Sequence, residues 1–449
     1  MARAETPFLS WPGIFKALVA CAITSVALFV VFIALLAAAI TLPSDKAIQQ
    51  SLRDGLEHKY FAGVSYPVSP FGHGGHKYDM YTDCVAYGMN LSNDGANLMQ
   101  RIADSPTATH EKDIAPCEEI ALGLQTNSLH TDYGYLRFWH GYQIVFRPLL
   151  SVMTYDAFVR TIAALFFAAL IFFGWRMERI FGPWAWLASL APFFLITDFF
   201  TVPMVTTHAL SLAWIFFTAA LTPIILEKVP NARRLALPLF AFVGGATYNF
   251  LNMLFNPPLA PALIAFIYIA MSLGKDGRKT WQTVAYGLAL AGLWLAGFAA
   301  AWLEKWLLAA IVMGPDAVMA EIQRTVAKYD ATRERLQVNF LGATRRNLFY
   351  NWFFASVIGA SLAAGAALVA WTVRKHGQLA NRAAEFIALM APLAVVVVWA
   401  ELNRAHSSEH VGFVTRSFVL FSVFPLLAAI KLSRDSRGLN GAEERASYP

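Results

Sequence analysis

The sequence places two carboxylates where they could do acid–base chemistry. Asp79 and Asp83 stand four residues apart among aromatic residues, just before an apolar stretch. If the segment DMYTDCVAYGMNL is a helix, both carboxylates share one of its faces. A carboxylate that is partly desolvated has a raised pKa and can act as a general base. We therefore expect Asp83 or Asp79 to be catalytic, with Asp83 favoured because it adjoins Cys84. The alternative is a helix N-cap beside a solvated acid.

Histidines precede these carboxylates at a spacing that could suit a metal ion. His73, His76 and Asp79 form a His-x2-His-x2-Asp pattern, with Asp83 four residues further on. A metal site needs side chains that converge, whereas the neighbouring glycines predict a loop. The pattern therefore favours hydrogen bonding within a folded loop. The sequence requires no metal or cofactor, although a divalent metal would be compatible with it.

Two of the three cysteines, Cys84 and Cys117, fall in the same long polar segment, while Cys21 lies in an apolar one. A pair of cysteines in one extracytoplasmic loop is typical of an oxidising compartment. We expect a Cys84–Cys117 disulfide, and the alternative is two unrelated thiols.

Cations and histidines cluster in three further segments: YLRFWHGYQIVFRPLL, the basic stretch AEIQRTVAKYDATRERLQVNFLGATRRNLF, and ELNRAHSSEHVGFVTR. Guanidinium groups bind phosphate in a bidentate manner, so an anionic headgroup is the natural partner. The alternatives are an aromatic belt with snorkelling arginines and a solvated helix face. The residues that we expect to bind substrate are Arg137, His140, Arg147, His208, Arg324, Arg345, Arg346, Arg404, His406, His410 and Arg416.

The elements that position these residues must be membrane helices. The 449 residues are 57% hydrophobic and only 14% charged, whereas soluble domains carry roughly 25% charged residues. This deficit excludes a soluble enzyme, a disordered chain and a disulfide-dense secreted module. No Gly-rich phosphate loop is present, which excludes ATP-driven pumping by this chain. The excess of six positive charges follows from membrane topology rather than from nucleic-acid binding.

Apolar runs of about 20 residues predict an all-α polytopic membrane protein with about ten transmembrane helices, within a range of roughly nine to twelve. We expect a single integral membrane domain, 1–449. Its parts are an anchor helix at 17–41, an extracytoplasmic loop with interfacial helices at 42–156, helices 2–7 at 157–303, a second extracytoplasmic loop at 304–347, helices 8–10 at 348–431 and a cytoplasmic tail at 432–449.

Lys and Arg are concentrated in the short connections on one side of these helices. The positive-inside rule then predicts cytoplasmic N- and C-termini, with both long loops outside. We expect a bacterial-type cytoplasmic membrane and an active face on the periplasmic or extracellular side.

This arrangement resembles the GT-C superfamily of integral membrane glycosyltransferases. The resemblance is architectural and spans nearly the whole chain: an anchor helix, a long acidic first outer loop, and a second long outer loop between the seventh and eighth spans. It implies a polyprenyl-phosphate- or pyrophosphate-linked sugar donor, a saccharide or glycolipid acceptor, and a first-loop carboxylate as base, here Asp79 or Asp83. Asp79 lies about 38 residues beyond the first span, further than is usual in the superfamily.

The expected function is therefore transfer of a sugar from a polyprenyl-linked donor to an acceptor outside the membrane, with arginines stabilising the leaving phosphate. Three alternatives stay open at this point. They are a secondary transporter, another outward-facing acyl- or phosphotransferase, and a non-catalytic scaffold with a docking loop. The absence of an internal repeat counts against the transporter.

Overall fold

The computed structural model describes residues 11–57, 80–91, 97–109, 114–132, 135–197, 199–229, 235–251, 255–274, 279–337, 339–376 and 379–446. Within these ranges the chain is almost entirely helical. Its only described strands are two three-residue segments that pair antiparallel, with Ala108 opposite Thr131.

The first part of the chain contains an anchor helix followed by short elements. In order they are α1 (Trp11–Thr41), α2 (Asp45–Glu57), α3 (Met80–Leu91), α4 (Leu98–Ala103), β1 (Thr107–Thr109), α5 (Pro116–Thr126), β2 (His130–Asp132) and α6 (Gln143–Val152).

Longer apolar helices follow, interrupted by α13 and α14. They are α7 (Tyr155–Phe181), α8 (Ala185–Ile196), a 3-10 turn (Phe199–Met204), α9 (Thr206–Lys228), α10 (Ala236–Leu251), α11 (Leu259–Ser272), α12 (Thr280–Met313), α13 (Pro315–Leu336), α14 (Gly342–Leu348), α15 (Trp352–His376), α16 (Leu379–Met390), α17 (Leu393–Leu402), α18 (Arg404–Glu409), α19 (Val411–Phe418) and α20 (Leu420–Ala446).

Seven stretches of helix in the described ranges are long and apolar enough to cross a membrane: Gly13–Thr41, Tyr155–Phe181, Thr206–Lys228, Thr280–Met313, Trp352–Arg374, Asn381–Leu402 and Val411–Asp435. The chain is thus an all-α protein of the multi-pass membrane type. The other three predicted spans are helical but shorter: α8, α10 and α11 have 12, 16 and 14 residues. At 1.5 Å per residue they are about 18–24 Å long. An apolar run can be buried in the protein as well as in the membrane. The helix α11 is buried within the protein along nearly its whole length.

Two glycines allow α10 and α12 to touch backbone to backbone. A Cβ on Gly245 would lie 1.8 Å from the Trp294 carbonyl oxygen, and one on Gly297 would lie 2.0 Å from that of Phe242. Small residues permit such close approach in membranes, where dispersion between helices replaces the hydrophobic effect. This contact supports one side of the site described below.

The first loop folds against the same end of the bundle. The predicted disulfide between Cys84 and Cys117 is present and joins α3 to α5. Lys305 of α12 is buried, and its Nζ donates to the carbonyls of Ile102 (2.6 Å) and Ala103 (2.7 Å) at the end of α4. The disulfide thus links two parts of the loop covalently, and the hydrogen bonds of Lys305 hold the loop against α12.

The predicted loop with interfacial helices, 42–156, is not helical through its YLRFWHGY part, residues 135–142. Its helix, α6, begins only at Gln143, and Trp139 and Tyr142 are buried inside the protein. Trp139 donates from Nε1 to the Ala301 carbonyl (2.6 Å) and packs edge-on against Phe32 and Phe250. Because the indole finds its acceptor on α12, burial inside the protein is more favourable than a place at the interface.

Candidate functional site

Asp83 lies on the first turn of α3 and is fully buried against the start of α9. Its Oδ1 accepts from the backbone N–H (2.9 Å) and hydroxyl (2.6 Å) of Thr207. Its Oδ2 accepts from the N–H (2.6 Å) and hydroxyl (2.9 Å) of Thr206, and from the Tyr87 hydroxyl (3.1 Å). The first N–H groups of a helix have no partner within the helix and favour a negative charge. Asp83 therefore caps α9 from a distant part of the chain.

This geometry argues against Asp83 as a base. Burial raises the pKa of Asp83, while the hydrogen bonds from Thr207 and Thr206 oppose that rise. Both oxygens are nevertheless occupied, and the carboxylate has no exposed surface on which a substrate could approach. The catalytic assignment of Asp83 stays a prediction, and the contacts favour the alternative of a helix cap. Asp79 lies outside the described residues, as do His73 and His76.

Arg147 is also fully engaged by the protein. It is buried, and its Nε donates to the Ala39 carbonyl at the end of α1 (2.8 Å). The other guanidinium nitrogens donate to the carbonyls of Asn90 and Ile40 and form an ion pair with Asp45. These partners join α1, α2 and α3. They leave Arg147 no surface for the lipid phosphate that the sequence suggested.

A cavity of about 230 Å³ gathers three of the segments that the sequence singled out. Its walls come from the first loop, from α13, and from the junction of α18 and α19. The described lining consists of Tyr81, Thr82, Val85, Tyr135, Arg137, Phe138, Phe255, Asn256, Lys328, Tyr329, His406, Glu409, His410, Phe413 and Val414. Residues more than 300 positions apart in the chain thus share one polar, aromatic-walled space.

Arg137 supplies one positive charge of this cavity. Its Nε lies 2.8 Å from Glu321 Oε1 on α13, and its guanidinium lies 5.4 Å and 5.7 Å from the ring centres of Tyr135 and Phe138. The Trp302 indole holds the same segment by donating to the Arg137 carbonyl (2.8 Å). Arg137 is therefore fixed in place with about a fifth of its side chain exposed.

The α18–α19 junction supplies two imidazoles and a carboxylate. The rings of His406 and His410 lie 4.6 Å apart. Burial, with His410, Lys328 and Arg137 nearby, lowers the pKa of His406 to about 3, so its imidazole is neutral at ordinary pH. Glu409 forms an ion pair with Arg335 of α13 (2.9 Å), and its other oxygen lies 3.9 Å from His410 Nε2.

Asn256 contributes a buried amide to the cavity wall. Its backbone is in the left-handed region, with φ of 53°, and its Oδ1 accepts from the Ser417 hydroxyl (3.2 Å). Its Nδ2 finds no hydrogen-bond partner among the described residues. A buried polar group without a partner costs about 1–3 kcal/mol, so a ligand that accepts a hydrogen bond here would recover that energy.

His208 and Arg416 form a buried pair behind the cavity. Arg416 Nη1 lies 3.0 Å from His208 Nδ1. The His208 ring packs on Phe255 (4.1 Å) and Phe413 (5.2 Å), both of which line the cavity. The pair stands one layer behind the lining and contributes positive charge to that wall of the cavity.

The other predicted binding residues lie outside the lining. Arg324 is exposed and paired with Glu321 (3.1 Å), and Arg404 is paired with Glu401 (3.3 Å). Arg346 donates to the Leu336 carbonyl (2.7 Å), and Arg345 is exposed on α14. His140 is buried beside Tyr142, and burial together with the charge of Lys305 lowers its pKa well below its ordinary value.

Lys328 and Tyr329 belong to the basic stretch and line the cavity, although neither is among the residues expected from sequence to bind substrate. A signal for them exists in the spacing of α13. Glu321, Thr325, Lys328 and Thr332 recur at helical intervals, and Glu321 and Thr332 are its buried residues. This stripe marks the face of an otherwise exposed helix that lies on the protein. Within the described ranges, no three His, Cys, Asp or Glu side chains converge as a metal site would require.

A second, apolar groove of about 370 Å³ lies among the membrane helices. It is formed by α7, α9 and Leu251 at the end of α10. Its member Leu210 lies near the start of α9, which begins at Thr206. Its lining is almost wholly apolar: Leu165, Ala168, Ala169, Phe172, Leu210, Ala213, Trp214, Phe217 and Leu251.

Comparison with known protein families, with curated proteins and with solved structures finds no match for this chain.

Proposed function

We propose that this chain is a membrane glycosyltransferase that moves a sugar from a polyprenyl-phosphate- or pyrophosphate-linked donor to an acceptor outside the cytoplasm. The observation that carries the proposal is the cavity between the two long loops, in which Arg137 and Lys328 stand among tyrosines and two imidazoles, that of His406 being neutral. Guanidinium and ammonium groups bind phosphate, and aromatic walls with a few polar groups are typical of small-molecule sites.

The apolar groove supports a lipid-linked donor rather than a soluble one. An isoprenoid chain needs an apolar surface that is continuous with the membrane, and the groove lies among helices long enough to cross it. With the phosphate in the cavity, the isoprenoid chain would extend toward the membrane helices and bind in this groove. The lipid tail then binds by apolar burial while the headgroup is held by charge.

The proposed topology follows the distribution of Lys and Arg along the chain. Both termini are cytoplasmic, and the cavity opens on the periplasmic or extracellular side of a bacterial-type cytoplasmic membrane. The partners are a polyprenyl-linked sugar lipid and a saccharide or glycolipid acceptor. The residues of the site require no metal, and the leaving phosphate is stabilised by fixed positive charge.

The test uses the purified full chain in lipid nanodiscs with a panel of polyprenyl-phosphate-linked hexoses and pentoses and an extract of envelope glycans. We expect release of polyprenyl phosphate from at least one donor. Lys328→Gln and Arg137→Gln should each weaken binding of polyprenyl phosphate about 10- to 100-fold, as expected for loss of a charge-assisted hydrogen bond. Arg333→Gln is the matched control, because Arg333 is exposed on α13 and is not part of the described lining.

Intact donors throughout the panel would contradict the proposal. In proteoliposomes, movement of intact labelled lipid or sugar across the bilayer without cleavage would indicate a transporter. Transfer of the phosphate together with the sugar would indicate a phosphotransferase.

A further inference from the structure

The transfer proposed above needs a group that accepts the proton of the acceptor hydroxyl, and among the described residues four carboxylates of this region already have partners. Asp83 caps α9 and is fully buried. Glu401 caps α14, accepting from the N–H groups of Leu341 (3.1 Å) and Thr344 (2.8 Å). In both carboxylates each oxygen already accepts a hydrogen bond from a fixed donor, and neither side chain is part of the described lining.

The other two of these four carboxylates are paired with arginines. Glu321 lies 2.8 Å from Arg137 and 3.1 Å from Arg324. Glu409 lies 2.9 Å from Arg335. Each of these two carboxylates is thus already held in an ion pair. Among the described residues, these pairs favour an imidazole as the proton acceptor.

The histidines of this region differ in their access to the cavity. His140 and His208 are fully buried and absent from the described lining. His406 lines the cavity, but burial and the charges around it lower its pKa to about 3, which makes it a weak base. The side chain of His410 is 41% exposed and lines the cavity. Its Nε2 lies 3.9 Å from Glu409 Oε2, so the carboxylate is close enough to stabilise the imidazolium cation.

We infer that His410 is the general base of the transfer, with Glu409 as the positioning residue that stabilises its protonated form. The inference rests on the proposed function. The imidazole takes the proton from the acceptor hydroxyl while the hydroxyl oxygen forms a bond to the anomeric carbon. The bond from that carbon to the phosphate oxygen breaks, and its electron pair leaves with the polyprenyl phosphate beside Arg137 and Lys328. The imidazolium then returns its proton to water.

The experiment measures kcat, KM and binding of polyprenyl phosphate for the full-length protein in nanodiscs. General-base catalysis contributes about 10²- to 10⁴-fold, so His410→Gln should lower kcat at least about 100-fold, with KM for the donor changed less than about threefold. Glu409→Gln should lower kcat about tenfold. His130→Gln is the matched control, because His130 is exposed on β2 and away from the described lining.

Chemical rescue separates a base from a structural residue. For His410→Ala, kcat should be at least about tenfold higher with about 0.1 M imidazole than without it. The added imidazole can occupy the vacated space and take the proton. If kcat of His410→Gln were within threefold of wild type, the inference about His410 would be overturned, while the proposed function would stand. Loss of activity together with loss of phosphate binding, and without rescue, would also overturn it. Absence of turnover by the wild-type protein with every donor would overturn the proposed function and the inference with it.

Discussion

The guanidinium of Arg137 lies 2.8 Å from the carboxylate of Glu321, and this ion pair joins the first long loop to α13 beside the cavity. Glu321 is the better buried partner, with 7% of its side chain exposed against 21% for Arg137. A partly desolvated ion pair with fixed geometry holds its two segments in one arrangement, which a solvent-exposed pair does only weakly. It sets two segments that are 184 positions apart on the same side of one site.

Asp83→Asn should destabilise the protein. The amide replaces one oxygen with a donor, which then faces donors of Thr206 or Thr207 at the start of α9. We expect the free energy of unfolding to fall by about 3 kcal/mol, the typical effect of breaking a buried charged hydrogen-bond network. Denaturation in detergent micelles measures it, with the exposed Asp330→Asn as control. Unchanged stability with lost sugar transfer would instead restore Asp83 as a catalytic residue.

Arg147→Gln should also act on stability rather than on lipid binding. The shorter amide cannot reach the carbonyls of Ala39 and Asn90 together with the Asp45 carboxylate. Loss of one partner from a buried ionic cluster costs about 3–5 kcal/mol. Thermal unfolding should therefore occur at a lower temperature, while binding of polyprenyl phosphate by the folded fraction stays unchanged. Wild-type stability combined with weakened phosphate binding would contradict this prediction.

Removal of the Cys84–Cys117 disulfide should lower stability through the unfolded state. The bond closes a loop of 33 residues, for which the chain-entropy model gives about 3–4 kcal/mol. The double variant Cys84→Ser, Cys117→Ser should unfold at lower denaturant concentration, and reductant should have no further effect on it. Cys21→Ser is the control, because Cys21 carries a free thiol. Equal stability of the wild type with and without the bond would contradict the prediction.

Stability should fall as the pH is lowered from about 7 to 4, because the folded protein holds two histidines, His140 and His406, in their neutral form. Burial and the charge of Lys305 lower the pKa of His140 well below 6.5, and burial beside His410 lowers that of His406 to about 3. Below pH 6.5 the unfolded chain binds these protons and the folded chain does not. Each histidine can therefore cost up to about 1.4 kcal/mol per pH unit until its folded pKa is reached.

Unfolding measured at several pH values tests this dependence. His140→Phe and His406→Gln should each flatten the slope, since each removes one of the two proton sites. His130→Gln should leave the slope unchanged, because that side chain is exposed on β2. A slope that neither His140→Phe nor His406→Gln alters would assign the pH dependence to other groups.

The sequence alone was sufficient for features that depend on composition and local periodicity. Long apolar runs predicted the helices that can cross a membrane, and the scarcity of charge predicted the class of protein. The disulfide followed from two cysteines in one polar loop. The segments around Arg137, His406 and His410 were also recognisable, because ionisable residues are rare in such a chain and therefore stand out.

Only the tertiary structure decided which of these polar residues contact the cavity. Asp83 and His410 were both candidates from sequence, yet one is enclosed by threonines 123 and 124 positions away and the other lines an open space. Arg147 likewise finds acceptors more than 100 positions away. Whether a buried charge is satisfied depends on partners that are distant in sequence, so no local pattern can separate a helix cap from a side chain that lines a cavity.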